Sequence, residues 1–377
     1  MTKKILYFIS EDWFFCSHFL ERAVAARAAG YEVVVLTREK DHGERIRNAG
    51  LKLIPTDFER RSVNPLREFW LLQFVYRIYA RERPDIVHHI AAKPIFYGTA
   101  VAKLLGIASV VNAPVGMGYA FSSSDAKAIL LRPLIKLAYR LLLNPKGSRV
   151  IFENAHDLNT FVHSGVARQA DTVLIRGAGI DLNVFQPRPE HAGVPVVMLI
   201  ARMLRDKGVM EFLDAAEQLH ASRVSARFVL VGDPDPGNPA SISEETLQSW
   251  NGRSGVEYWG WREDIAAVLR QAHIVCLPSY REGLPKSLLE AAACGLPIVT
   301  TDAIGCRDVV EDGVNGYLVP VKESGPLAEA LEKLIKNPVL RSKMGERGRQ
   351  RAETEFSSER VIFETLAVYA QLGPITP

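Results

Sequence analysis

No two cysteines in this 377-residue chain stand as Cys-x-x-Cys; the four present, Cys16, Cys276, Cys294 and Cys306, are scattered. That argues against a disulfide framework or a zinc site and fits a reducing cytoplasm. An excess of one charge is also missing. The formal net charge of +3 is small for this length, and no aromatic-basic RNA-binding motif occurs, so nucleic acid is not an expected partner. There is no run of about 18 uncharged apolar residues, hence no expected spanning helix. The opening "KKILYFIS" followed by the acidic "ED" does not read as a signal peptide. The first strand-to-helix turn lacks GxGxxG, which counts strongly against a dinucleotide-dependent dehydrogenase.

What is present is ordinary globular material, 47% hydrophobic and 24% charged. The length exceeds one typical core, so two domains are expected. Short β-branched runs alternate with segments of helical pattern, such as Phe19 to Ala29 and Val209 to Leu219. The first series of strands is "ILYFIS", "EVVVLT", "LKLIP", "DIVHHI", "SVVNAP", "RVIFEN" and "TVLIRG". After Pro187-Arg188-Pro189 come "PVVMLIA", "RFVLVGD", "VEYWG", "HIVCLPS", "PIVTTD" and "GYLVP". Alternation of this kind predicts α/β architecture with two doubly wound parallel sheets. The expected domains are 1–185 and 186–355; a final helical segment, 356–377, follows, and its crossing back to the first domain is left open. Such sheets bind ligands beyond the carboxyl ends of their strands. The cleft between two such domains is therefore the expected site.

Two stretches carry chemistry. In "LIARMLRDKGV", Arg202 and Lys207 lie between a strand and a helix start, where two cations and a positive helix end suit an anion. Taken alone they read more readily as solvated loop charges. In "REGLPKSLLEAAACGLPIV", Glu282 sits in a Gly/Pro turn, Pro285 suits the first helical turn, and Glu290 falls inside a small, apolar helix. A carboxylate accepts hydrogen bonds from two vicinal hydroxyls at once, as a ribose or sugar presents. Glu290 needs a partner there, either a ligand hydroxyl or a local cap or ion pair. "DPDP" at 233–236 reads as a turn rather than a metal-binding DxD pair.

"EGLPKSLLEAAACGLPIV" resembles the E-x7-E motif of the family-4 retaining glycosyltransferases, which have the GT-B fold of two Rossmann-like domains facing a cleft. "ARMLRDKG" is similar to their G-R-[LM]-x-x-x-K-G element, with Ala201 where glycine is usual. "VEYWGWREDI" resembles the strand and loop beside the nucleotide base, and "TTDAIGCRDVVEDGVNGYLVP" the closing segment of that domain. "ISEDWFFCSHF", "PDIVHHIAAKPIFYG", "VNAPVGMGYAF" and "RGAGIDLNVFQP" resemble a bacterial subgroup that builds capsule, O-antigen and other lipid-linked glycans.

The resemblance implies an acceptor-binding first domain and a nucleotide-sugar-binding second domain. Arg202 and Lys207 would neutralise the donor diphosphate, Glu290 would hold the ribose, and Glu282 would hold the donor sugar with the amides of Gly283, Leu284, Pro285 (which has none), Lys286 and Ser287 around it. Arg202, Lys207 and Glu282 are the expected catalytic residues; Gly232, Trp261 and Arg262 complete the donor side. The implied reaction is retaining transfer of a hexose or N-acetylhexosamine from a UDP-sugar to a polyprenyl-diphosphate-linked saccharide, with no metal and no cofactor beyond the nucleotide sugar. A soluble acceptor, an epimerase on the same scaffold and a non-catalytic sugar-binding module are the alternatives.

Two departures fall on the first domain. "SEDWFFCSHF" replaces the glycine-rich loop of many relatives, and "NAPVG" lacks their histidine. The acceptor-side candidates are His18, His88, His89, Lys93, Gly116 and Gly118. Adjacent His88 and His89 point to opposite faces if extended, so at most one should face the cleft. In "AKAILLRPLIKLAYRLLLNPKGSR", Arg132, Lys136 and Arg140 recur every four residues on a leucine-rich helix. That suits docking on an anionic membrane surface from the cytoplasmic side. The neighbouring aromatic stretch "NPLREFWLLQFVYRIYARERPD" reads as an ordinary surface helix.

Overall fold

The computed structural model describes residues 2–57, 64–115 and 126–372, with the backbone alone over 126–132. It divides into two units, 2–178 with 359–372, and Gly179–Ser358. The boundaries expected at 185 and 355 thus move to 178/179 and 358/359. The cause is local. Ile180 donates its amide to the Phe356 carbonyl at 2.9 Å and Ser358 donates to the Ile180 carbonyl at 3.0 Å, which holds both segments within the second unit. Pro187, Arg188 and Pro189 lie exposed on that unit's surface.

The first unit is a parallel sheet of seven strands: β1 (Lys4–Glu11), β2 (Glu32–Arg38), β3 (Lys52–Pro55), β4 (Ile86–Ile90), β5 (Ser109–Ala113), β6 (Arg149–Phe152) and β7 (Thr172–Leu174). Their spatial order is β3-β2-β1-β4-β5-β6-β7. The second unit is a parallel sheet of six: β8 (Val196–Ile200), β9 (Arg227–Val231), β10 (Val256–Gly260), β11 (Ile274–Leu277), β12 (Ile298–Thr301) and β13 (Gly316–Val319). Its order is β10-β9-β8-β11-β12-β13. Each strand lies within or overlaps one of the expected apolar runs. Those runs are continuous because helices cover both faces of each sheet and leave no face for alternating polar residues. In β8 all five side chains are buried.

On the first sheet, Ile5 and Tyr7 pack with Phe15, Phe19, Ala23, Val361 and Tyr369 on one face. Leu6 and Phe8 pack with Val75, Ile78, Tyr79 and Val101 on the other. The C-terminal helix Ser358–Leu372 therefore belongs to the first unit, anchored by the Tyr369 hydroxyl, 2.6 Å from that of Tyr7.

Pairing of β1 with β4 sets His88 beside Tyr7 and His89 beside Phe8. The two rings do point to opposite faces, but both faces are covered, and both histidines are fully buried. His88 Nδ1 lies 2.7 Å from the Tyr369 hydroxyl. His89 stacks on Tyr79 and reaches its hydroxyl at 3.0 Å and Asn112 Oδ1 at 2.8 Å. The expectation that one of them serves the acceptor is corrected: a central strand enclosed by helices buries both. Gly98 makes room for His89, since a Cβ there would lie 2.4 Å from Nε2.

Burial pushes the His89 imidazole down to about 4. Burial, reinforced by the Arg22 charge, holds His88 well below the usual range. Both rings are neutral in the folded chain, whereas unfolded histidines take up protons near pH 6.5. Stability is therefore complete above about pH 6.5 and is lost as pH falls toward 4, His89 alone accounting for roughly 3 kcal/mol. In a Glu290→Gln background, which removes a buried carboxyl pushed up to about 7 that titrates with the opposite sign, thermal unfolding followed from pH 7.5 to 5 should show the midpoint dropping, and less so when His89→Asn is added. A flat midpoint over that range would contradict the neutral buried pair.

Candidate active site in the second unit

Strand order in the second sheet reverses between β8 and β11, which are hydrogen-bonded neighbours. Crevices at the carboxyl ends of strands flanking such a reversal are where doubly wound sheets bind ligands. β8 runs directly into Ala201 and Arg202, and β11 into the turn that carries Glu282. The two loops are laced together. The Asp206 carbonyl accepts from the Tyr280 amide at 2.9 Å and from the Ser279 hydroxyl at 3.1 Å. Gly208 has φ +74°, and a Cβ there would sit 2.1 Å from the Pro278 carbonyl oxygen. Only glycine serves both the left-handed turn and that approach.

This lacing brings the Lys207 ammonium 2.5 Å from Glu282 Oε1, with both side chains largely buried. The Glu282 turn is braced from its other side by Ile304-Gly305. The Glu282 amide donates to the Ile304 carbonyl at 2.9 Å, and a Cβ on Gly305 would lie 2.6 Å from the Glu282 and Gly283 carbonyl oxygens. Leu284 and Pro285 are buried, while Lys286 and Ser287 are half-buried at the start of the helix Lys286–Ala293. Pro285 is the residue just before that helix rather than in its first turn, and no side chain caps the helix start.

Glu290 lies one turn inside and is 7% exposed. Its local partner is Lys286, whose Nζ is 3.7 Å from Oε1, as the ion-pair reading of this residue expects. Burial pushes the Glu290 carboxyl up to about 7 against the pull of Lys286. A carboxylate held at that cost, one step from a loop of amides and cations, is matched to hydroxyl donors.

Arg202 meets Asp235 of the "DPDP" turn, Nη1 to Oδ2 at 2.6 Å. The loop after β9 lies against that after β8: Gly232 has φ +133°, and a Cβ there would stand 1.9 Å from the Ala201 carbonyl oxygen. The glycine this approach requires is Gly232, so Ala201 is accommodated. Trp261 and Arg262 are exposed after β10, the Trp261 amide donating to Asp233 Oδ1 at 2.9 Å. Among the described residues no three His, Cys, Asp or Glu side chains gather to hold a metal ion.

The first-unit candidates are more scattered. "DWFFCSH" is a short helix, Asp12–His18, and its fully buried Asp12 accepts the amides of Lys40 at 2.6 Å and His42 at 3.0 Å. That carboxylate latches the loop after β2. His18 is half-buried against Phe14, ring centroids 4.2 Å apart. Lys93 sits in the first turn of Ala92–Leu104, 2.9 Å from Glu68. Gly116 and Gly118 lie outside the described residues, as does the Arg132 side chain. Lys136 and Arg140 are exposed on the helix Ala126–Leu142. No described helix is long and apolar enough to cross a membrane.

Residues 194–337 match the family model described as glycosyl transferases group 1, and residues 4–154 that described as glycosyl transferase 4-like. An N-acetylgalactosaminyltransferase of Campylobacter jejuni, named for transfer to N,N'-diacetylbacillosaminyl-diphospho-undecaprenol, is 30% identical over 85% of this chain and 86% of its own. The chain belongs to the group 1, family 4-like glycosyltransferases. An Escherichia coli α-1,3-galactosyltransferase, named for UDP-Gal and GlcNAc-diphosphoundecaprenol, is 25% identical over 74% of each chain. The structure of HepE from Anabaena with UDP and glucose superposes with a TM-score of 0.78 at 19% identity, covering 99% of this chain and 100% of that one. The fold is GT-B.

Within this glycosyltransferase, the sequence reading passed over Gly208, Gly305, Asp233 and Asp235. The glycines follow or precede strands and could have been found by asking which turns need φ above zero; the two aspartates had been set aside as turn formers. Gly232→Ala tests the packing directly. It should cost on the order of 2–3 kcal/mol in urea unfolding, because a side chain meets backbone that cannot move without breaking β8 or β9. An unchanged midpoint would show that the two loops are separable.

Proposed function

We propose that this glycosyltransferase moves a hexose or N-acetylhexosamine from a UDP-sugar to a polyprenyl-diphosphate-linked saccharide, with retention and without a metal. The observation that carries the donor half is the Lys207–Glu282 contact at the strand-order reversal, flanked by Arg202 and Glu290. The acceptor half is supported by the substrates in the names of the Campylobacter and Escherichia relatives.

In this reading the donor diphosphate lies over Arg202, Lys207 and the uncapped helix start at Lys286. As the bond from the sugar's anomeric carbon to the phosphate oxygen breaks, charge develops on that oxygen, and preorganised cations stabilise it. The acceptor hydroxyl attacks the same face. Its oxygen bonds to the anomeric carbon and its proton passes to the departing phosphate oxygen, so no protein nucleophile is consumed. Glu282, relieved of part of its hold on Lys207, accepts from hydroxyls of the donor sugar. Glu290 accepts from the ribose.

The two glutamates separate experimentally. Glu290→Gln should weaken UDP and UDP-sugar alike, whereas Glu282→Gln should leave UDP affinity nearly unchanged and lower turnover by about 10²-fold. Glu290 must be ionised to accept two hydroxyls, so UDP-sugar affinity should fall as pH drops below about 7 and flatten in Glu290→Gln. Turnover should persist in excess EDTA. Equal loss of UDP binding in both variants would reverse the role assignment.

A lipid-linked acceptor calls for access to a membrane surface, and we place the enzyme peripherally on the cytoplasmic face. Leu134, Leu137 and Leu141 are exposed beside Lys136 and Arg140. The helix Pro65–Glu82 also exposes Leu66, Phe69, Trp70 and Tyr76 beside Arg67 and Arg77, more apolar surface than an ordinary surface helix carries. Each basic residue near an anionic surface contributes about 1 kcal/mol. Flotation with anionic liposomes should show salt-sensitive binding, lost in the Arg132/Lys136/Arg140→Glu triple variant that still binds UDP. Absence of wild-type binding at low salt would point to a soluble acceptor.

A further inference from the structure

The turn after β9, Asp233-Pro234-Asp235-Pro236, has the spacing of a metal-binding carboxylate pair, yet each carboxylate is engaged by the protein. Asp233 Oδ1 accepts the Trp261 amide at 2.9 Å. Asp235 Oδ2 accepts from Arg202 Nη1 at 2.6 Å. Three separate loops, those after β8, β9 and β10, are thereby connected through one four-residue turn.

The turn is built to be stiff. Each aspartate precedes a proline, which confines its backbone to extended conformations and removes the next amide. The Asp235 amide donates to Ser241 Oγ at 2.9 Å, and the Asn238 amide to the Asp235 carbonyl at 2.6 Å. The rest of the segment is stitched to the Arg202 loop. Met203 donates to the Asp233 carbonyl at 2.9 Å, Arg205 to the Ala240 carbonyl at 2.8 Å, and Ile242 to the Met203 carbonyl at 2.9 Å. As a stability device the Arg202–Asp235 pair is poor, since the side chains are 39% and 27% exposed and such pairs contribute little. As a positioning device it is effective. An arginine on a flexible stem is fixed by a carboxylate whose own backbone is tied to the neighbouring segment.

We infer that Asp233 and Asp235 form a bracket for the donor nucleotide. Asp235 is a positioning residue that aims Arg202 at the diphosphate, and Asp233 anchors the same turn to the Trp261 loop. This deepens the donor assignment made above and rests on it.

Calorimetric titration with uridine, UMP and UDP separates the two arms. Asp235→Ala should weaken UDP roughly tenfold and leave uridine unchanged, because only the phosphate end is released. Asp235→Asn, whose amide oxygen still accepts from the guanidinium, should stay within about threefold of wild type. In an Arg202→Ala background, Asp235→Ala should add nothing, the signature of action through Arg202. In turnover, Asp235→Ala should raise donor KM and lower kcat together, because the released Arg202 also stabilises the departing phosphate; a merely structural loss would lower the melting midpoint of Asp235→Ala and weaken uridine equally, overturning the inference. So would Asp235→Ala with unaltered UDP affinity when Arg202→Ala loses it, or losses that add in the double variant. If Arg202→Ala itself leaves UDP affinity untouched, the diphosphate assignment fails, and the bracket with it.

Discussion

An ammonium held against a carboxylate, Lys207 with Glu282, is the constraint on which the second unit's site depends. Each side chain is less than one-fifth exposed, and neither charge would tolerate that position alone. The pair joins the loops that follow the two strands at which the strand order reverses. Its members arrive there because backbone approaches permitted by Gly208 and Gly305 bring the loops together first. Charge pairing leaves this contact without net charge, and a diphosphate bound as proposed above would share an ammonium already oriented.

Glu290 shows a different solution to the same difficulty. Its nearest cation is 3.7 Å away, and burial leaves its carboxyl poised near neutrality. Folding tolerates this because protonation is available when no donor is bound. Glu282 is fixed against Lys207, whereas the Glu290 carboxyl, pushed up to about 7 by burial, changes state near neutral pH. Two glutamates eight positions apart in the sequence thus differ in electrostatic character because one ends a loop and the other sits inside a helix.

The architecture was legible in the sequence because parallel strands covered on both faces leave continuous apolar runs, and every such run became a strand. E-x7-E and the Arg202/Lys207 loop were legible because polar residues stand where the alternation of strand and helix demands apolar ones or turns. The contacts were not. Nothing in "DPDP" announces that its carboxylates reach loops dozens of residues away, and nothing in "HH" says that both faces of β4 are sealed. Likewise Asp12 read as part of an acidic departure from a glycine-rich loop, while in the fold it receives two amides from the loop after β2. Side-chain partners are set by tertiary proximity, which periodicity does not encode.

The hydrogen bonds linking Ile180 with Phe356 and Ser358 carry a consequence for the chain's ancestry and engineering. The second unit begins and ends within one ladder rung, so it is topologically an insertion into the first, entered at 179 and left at 358. Adjacent ends are what allow a domain to be transplanted or excised without tearing its host. The second unit can therefore be exchanged as a cassette while the first keeps its own terminal helix; on the donor and acceptor assignment proposed above, that is a route by which sugar preference and acceptor preference can evolve on separate schedules.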